Sequence, residues 1–163
     1  MKNLIIIACC LIGNQLSLSA QNILSLQTTS IGQATVITPV LPNLLKLLKA
    51  SKGDFVVTVK SLSYTLSKPD DPNTYQANSP EQIYNIDKED KTIDIFFSDN
   101  EGYAKKVKDD FLADYPGARH KSMDSGIEAY YFDMTEGGET VQYCIFFDLP
   151  ADGGGGVTLL AID

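Results

Sequence analysis

The run GIEAYYFDM (126–134), TEGGE (135–139), TVQYCIFFDL (140–149) decides the fold. Both flanks are rich in aromatic and β-branched residues. In the second, Val141, Tyr143, Ile145, Phe147 and Leu149 share one parity, while Gln142, Cys144, Phe146 and Asp148 share the other. Period two is the periodicity of a strand, and a Gly-containing turn between two such runs predicts an antiparallel hairpin. One face is wholly apolar and packs under helices; the other is mixed. Outward on the C-terminal side, the Gly-rich DGGGG (152–156) is a second hairpin loop and VTLLAI (157–162) a third strand. On the N-terminal side, 118–122 adds a fourth.

Ahead of this meander, Tyr103, Val107, Phe111 and Tyr115 recur every fourth residue, and Ala104 and Leu112 widen the stripe. That spacing predicts a helix with its apolar stripe on the sheet. Ser98 with Glu101 is a capping-box pattern at its start, and Pro116-Gly117 ends it. Ile93, Ile95 and Phe97 predict a strand over 92–97, and 82–86 a shorter one. The segment 68–81, with Pro69, Asp70, Asp71, Pro72, Asn73, Asn78 and Pro80, reads as a long surface loop. Residues 55–66 read as a strand whose apolar phase shifts near Lys60-Ser61, the signature of a bulge. Leu41, Leu44, Leu45 and Leu48 mark a first helix opening near Pro42 and stopping at Gly53. Helices and strands do not alternate strictly. The fold class is therefore α+β, a two-layer domain with an antiparallel sheet of six to seven strands and two helices on one face.

Three parts follow along the chain. Residues 1–20 read as a cleavable signal peptide: Lys2, the apolar run LIIIACCLI (4–12), a polar break and a small-x-small end at Ser17-Leu18-Ser19. A lipidated Cys9 or Cys10 is disfavoured, because eight preceding residues leave no room for separate charged and apolar regions. Residues 21–38 read as an N-terminal arm ending in a short strand near 35–37, and 39–163 as one domain. Loss of Lys2 with the leader leaves 12 of 13 basic residues against 21 acidic ones, net −9, and a single cysteine, Cys144. No intramolecular disulfide is then available. No later apolar run approaches the roughly 20 residues of a membrane helix, and the acidic balance without a basic cluster argues against nucleic acid. The expected location is periplasmic or extracellular.

The leader end SLSAQ (17–21), the lysine-rich end of the first helix, YYFDM (130–134), VQYCIFFDL (141–149) and VTLLAID (157–163) together resemble small uncharacterised exported α+β protein families of gut-type anaerobic bacteria. The resemblance covers about the last 110 residues. It implies export and a two-layer fold, and it brings no catalytic residue with it.

Chemistry is sparse. His120 is the only histidine; an extended 118–124 places His120, Ser122 and Asp124 on one side about 6.6 Å apart at Cα, awkward for a triad. Cys144 lacks a cationic neighbour in sequence and reads as a buried thiol. The acidic groups at Asp70-Asp71, 87–90, 99–101 and Asp109-Asp110 lack EF-hand spacing, and the Gly-rich 153–156 lacks the Lys-Ser/Thr of a phosphate loop, so no metal, cofactor or catalytic residue is assigned. Lys46, Lys49 and Lys52 form the one basic helix face, suited to an acidic partner or an anionic membrane surface. Tyr75 in the polar loop and Tyr131, opposite in parity to Tyr130, Phe132 and Met134, are candidate contacts. The expected function is a non-enzymatic binding protein of the cell envelope, of the inhibitor or immunity-type class in its sharpest form, recognising a protein or an envelope ligand. A self-associating structural component held by the mixed face of 140–149, and a hydrolase using His120 or Cys144, are the rival classes.

Overall fold

A computed structural model describes residues 21–67, 74–82, 84–97, 103–123, 126–150 and 154–162. The signal-peptide reading, the Ser98/Glu101 capping box, Asp70, Asp71 and Asp124 lie outside the described residues. In chain order the elements are β1 (Thr28–Ile31), β2 (Ala34–Ile37), α1 (Leu41–Lys49), α2 (Lys52–Ser61), β3 (Thr65–Ser67), β4 (Tyr75–Asn78), a 3-10 turn (Pro80–Gln82), β5 (Tyr84–Lys88), β6 (Thr92–Phe97), α3 (Tyr103–Asp114), β7 (Arg119–Ser122), β8 (Ile127–Glu136), β9 (Glu139–Asp148) and β10 (Gly155–Ile162). The fold is α+β. Among the described residues, eight strands form one antiparallel sheet in the order β3-β4-β5-β6-β10-β9-β8-β7, and β1-β2 form a separate hairpin. The sheet is larger than the six to seven strands expected, and three helices replace two.

The meander read from 126–149 is present: β8 and β9 pair over their full lengths, from Ile127 opposite Asp148 to Glu136 opposite Glu139. The last strand, β10, then inserts between β9 and β6. It thereby joins the meander to the sheet built by β3 to β6. Gly155 permits this closure: its φ is +145°, and a Cβ there would lie 2.8 Å from the Asp148 carbonyl oxygen and 2.9 Å from the Ala104 side chain.

Three expectations are corrected. Residues 55–66 are not a bulged strand but mostly helix α2. Its buried residues Phe55, Thr58 and Val59 recur at i, i+3 and i+4, and Ser51 caps it by accepting from the Asp54 N–H at 3.1 Å. The shift of apolar phase was helical period. Gly53 therefore sits in the first turn of α2 rather than at the stop of α1, which ends at Ala50 in extended geometry. The segment 68–81 is not loop throughout, since β4 lies within it and pairs with both β3 and β5.

The covered layer is continuous. Ile93, Ile95, Val157, Leu159, Tyr143, Ile145 and Phe147 present one sheet face to Leu44, Leu47, Ala104, Val107 and Phe111 of the helices, all buried. Each fully buried side chain of this size contributes about 1.5–3 kcal/mol. In α1 the buried face carries Leu47 instead of the expected Leu45. Residues 21–38 are more than an arm: Ala34, Val36 and Ile37 belong to the same core. Buried Asn43 ties the hairpin to α1, its Nδ2 donating to the carbonyls of Gln27 (2.8 Å) and Thr38 (2.7 Å) and its Oδ1 accepting from the Gln27 N–H (3.0 Å).

Candidate functional site

A concavity of about 470 Å³ lies where α1 gives way to α2 above the edge of the covered sheet face. Leu48, Lys49, Ala50, Ser51 and Lys52 form one wall; Tyr75, Lys88, Glu89, Asp90, Tyr143 and Ala161 form the rest. Its size is that of a small-molecule site. The local sequence explains the shape. The extended Ala50-Ser51 link breaks two helices apart at the rim, and β4, β5, β9 and β10 supply the floor.

Lys88 sits on the floor, 6% exposed. Its parity is that of Tyr84 and Ile86, so the strand drives an ammonium into the apolar layer. Nζ donates to the Leu48 carbonyl at 2.8 Å and, at 3.5 Å, to that of Glu89. The first of these satisfies an orphan carbonyl in the last turn of α1, where the helix dipole favours a cation. Burial lowers the Lys88 pKa, against a smaller pull from Asp90. Among the described residues it has no ion-pair partner.

Two further ammonium groups stand at the rim. Lys52 Nζ lies 4.6 Å from the centroid of the Tyr75 ring, a cation–π contact. Lys49 pairs with Glu136, which also accepts from the Tyr143 hydroxyl at 3.0 Å. Burial pulls the Lys49 pKa down, but the bond to Glu136 and the adjacent Tyr143 phenol outweigh it, and the net shift is upward. The pocket thus gathers three ammonium groups and two tyrosines in a chain of net charge −8. Glu89, which accepts from Thr74 Oγ1 at 3.2 Å, and Asp90 lie on its outer side.

Of the residues singled out in the sequence, the structure brings Lys49 and Tyr75 together here and leaves the others apart. Tyr75 begins strand β4, not a loop. Lys46 points elsewhere and donates to the Ser25 carbonyl at 2.6 Å. Tyr131 lies on the opposite face of the sheet, directly across from Cys144. Cys144 is 1% exposed and burial pushes its thiol pKa up. His120 pairs with Tyr130 on the helix side, so His120 and Cys144 project to opposite faces and cannot act on one substrate atom together.

Sequence reasoning missed Lys88, although a lysine in phase with Tyr84 and Ile86 was the available signal. It also missed Glu128, which accepts from Lys108 Nζ at 2.8 Å and the Tyr130 hydroxyl at 2.6 Å, and stands 3.5 Å from His120 Nε2. The Lys108 and Tyr130 bonds hold the Glu128 carboxyl below its usual range. Among the described residues no three His, Cys, Asp or Glu side chains converge to hold a metal, and no helix is long and apolar enough to cross a membrane. No protein-family model matches the chain, nor does any curated protein or solved structure, so what the pocket receives has to be argued from its own residues.

Proposed function

We propose that this chain is an exported, non-enzymatic binding protein of the cell envelope whose pocket at the α1–α2 junction takes a small organic anion carrying a carboxylate or phosphate. The observation that carries the reading is Lys88, a buried ammonium facing helix and main-chain carbonyls rather than a carboxylate, with Lys49 and Lys52 at the rim above it. Charge-assisted bonds to such groups are roughly twice as strong as neutral ones. The faces of Tyr75 and Tyr143 add apolar area against which a ring can lie. Leu48 and Ala161 add apolar lining.

The test is a heteronuclear NMR titration with sodium glucuronate and, separately, with glucose. Glucuronate is expected to move the amides of Ser51, Lys52 and Lys88 to Asp90 saturably, glucose is not, and Lys52→Ala weakens the response severalfold while leaving the fold intact because Lys52 is exposed. An equal response to both sugars, or shifts that map to another surface, sinks the reading.

A further inference from the structure

The sheet face turned away from the helices carries a cleft of about 280 Å³, lined by Phe96, Met123, Ile127, Phe146, Asp148 and Thr158. The register shows how the sequence makes it. Phe96, Gly156, Asp148 and Ile127 are successive cross-strand partners on β6, β10, β9 and β8, and Asp94, Thr158 and Phe146 form the neighbouring row on this face. Gly156 brings no side chain to its place between Phe96 and Asp148. The Phe96 ring leans over it: a Cβ there would stand 3.0 Å from Phe96 Cδ1. The missing side chain leaves the carboxylate of Asp148 accessible between apolar walls.

Two observations say what such a cleft receives. Phe96 and Met123 are 43% and 44% exposed, and with Ile23 they are the exposed large apolar side chains among the described residues. Two of the three therefore meet at one concavity. Exposed apolar residues scattered singly are ordinary, whereas adjoining ones mark a contact surface. The second observation is the state of Asp148. The other carboxylates that strands present on this face each accept from a side-chain donor: Asp87 from Gln76 Nε2, Asp94 from Thr158 Oγ1 and Asp133 from Gln142 Nε2. Among the described residues the Asp148 side chain has no hydrogen bond or ion pair, and Lys121 stands two strands away in the neighbouring row. Asp148 is also half-buried. A carboxylate beside apolar walls attracts a cation more strongly than one in open water, because fewer solvent dipoles screen the pair.

We infer that this cleft binds a small organic cation, a primary ammonium carried on a short aryl-alkyl body, with the ammonium on Asp148 and the ring against Phe96, Phe146 and Met123. Each part of the ligand has its counterpart. The ammonium donates charge-assisted hydrogen bonds to the carboxylate, and the faces of the two phenylalanine rings attract the same charge. The Met123 thioether adapts to an aromatic ring. A volume of about 280 Å³ lies at the small end of ligand sites and suits one ring with a short chain. The net charge of −8 raises the concentration of cations near the surface. The chain then selects opposite charges on opposite faces of its sheet, an anion at the α1–α2 junction and a cation here. The second site does not depend on the first.

A heteronuclear NMR titration with phenethylammonium chloride tests it, run beside phenethyl alcohol, which keeps the ring without the charge, and ethylammonium, which keeps the charge without the ring. Phenethylammonium is expected to move the amides of Ile127, Phe146, Asp148 and Gly156 saturably, and each of the other two to bind about fivefold more weakly or less. Asp148→Asn, close to isosteric, should weaken phenethylammonium about fivefold and remove its advantage over phenethyl alcohol. Phe96→Ser, at an exposed position, leaves the carboxylate in place and should remove the advantage over ethylammonium. An equal response to phenethyl alcohol or to ethylammonium, an affinity unmoved by either variant, or shifts that map to another surface overturns the proposal. Shifts of the same amides on simple dilution would assign the cleft to a second copy of the chain and overturn it equally.

Discussion

The two faces of the sheet are made by the same strands and differ in what they require. On the covered face the strands of the sheet, all but the edge strands β3 and β7, contribute at least one buried apolar side chain each, and Phe111 alone touches the rings of Tyr115, Tyr130, Phe132 and Phe147 within about 6 Å. On the open face the same strands present Gln76, Asp87, Asp94, Thr158, Phe146 and Lys121 in one row. The first face is constrained by volume, the second by the sequence of charges across it. A strand residue and its neighbour therefore answer to different physics.

The largest expected effect breaks the first face. Phe147→Ala removes a side chain with no exposed area and leaves a cavity among Phe111, Tyr130 and the strands beside it, so urea unfolding should show a loss of about 3–5 kcal/mol. Its neighbour Phe146 is the same residue type turned the other way and only half-buried, so Phe146→Ala should cost about 1 kcal/mol or less. Equal losses at the two positions would mean that the faces are not distinct.

This alternation is also why part of the molecule was legible in its sequence. Strands long enough to show a period-two component and bounded by turn residues, β6, β8, β9 and β10, and a helix with a four-residue stripe, α3, announce themselves because one face carries most of the buried apolar volume. Helix α2 was hidden because its β-branched and aromatic residues carry strand propensity and its apolar stripe is weak; tertiary packing of Phe55, Thr58 and Val59 overrides propensity. Strand β4 was hidden among turn-forming residues, its membership fixed by pairing on both sides rather than by its own composition. The pocket was half legible. Lys49 and Tyr75 stood out as a basic helix residue and an aromatic in polar surroundings, but their meeting depends on the break at Ala50-Ser51 and on the register that brings Lys88 beneath them, neither of which follows from local pattern.

A smaller effect sharpens how the covered layer handles polar groups. Of the tyrosines buried there, Tyr64 and Tyr84 form a contrasting pair. The Tyr64 hydroxyl accepts from the buried Ile37 N–H at 3.0 Å, holding the N-terminal hairpin on the core, and burial pushes its pKa to about 12. The Tyr84 hydroxyl has, among the described residues, no hydrogen-bond partner, and burial, then the nearby Tyr103 phenol, push its ionisation far upward. Removing one oxygen should therefore have opposite consequences. Tyr64→Phe strands a backbone donor and should cost about 1–3 kcal/mol, whereas Tyr84→Phe removes an unsatisfied group and should be neutral or stabilising. Thermal unfolding of the pair decides it: a loss in Tyr84→Phe as large as that in Tyr64→Phe would show that the Tyr84 hydroxyl has a partner.

The smallest effect concerns charge on the open face. Asp87 and Asp94 are direct cross-strand neighbours, each held by a neutral donor, Gln76 Nε2 at 3.2 Å for Asp87 and Thr158 Oγ1 for Asp94. Burial first, then surrounding carboxylates including Glu89, raise both pKa values. With the folded value above the unfolded one, the native chain binds more protons between the two. The ionised pair therefore costs stability above the folded pKa, and the cost fades as pH falls through it. Like charges directly opposite in a sheet destabilise by about 0.2–1 kcal/mol, toward the lower end here because both groups are partly solvated. Asp94→Asn should accordingly stabilise the monomer by a few tenths of a kcal/mol at pH 7, with the gain vanishing near pH 4. A gain independent of pH would mean that the row of acids on β5 and β6 is not strained in the folded chain.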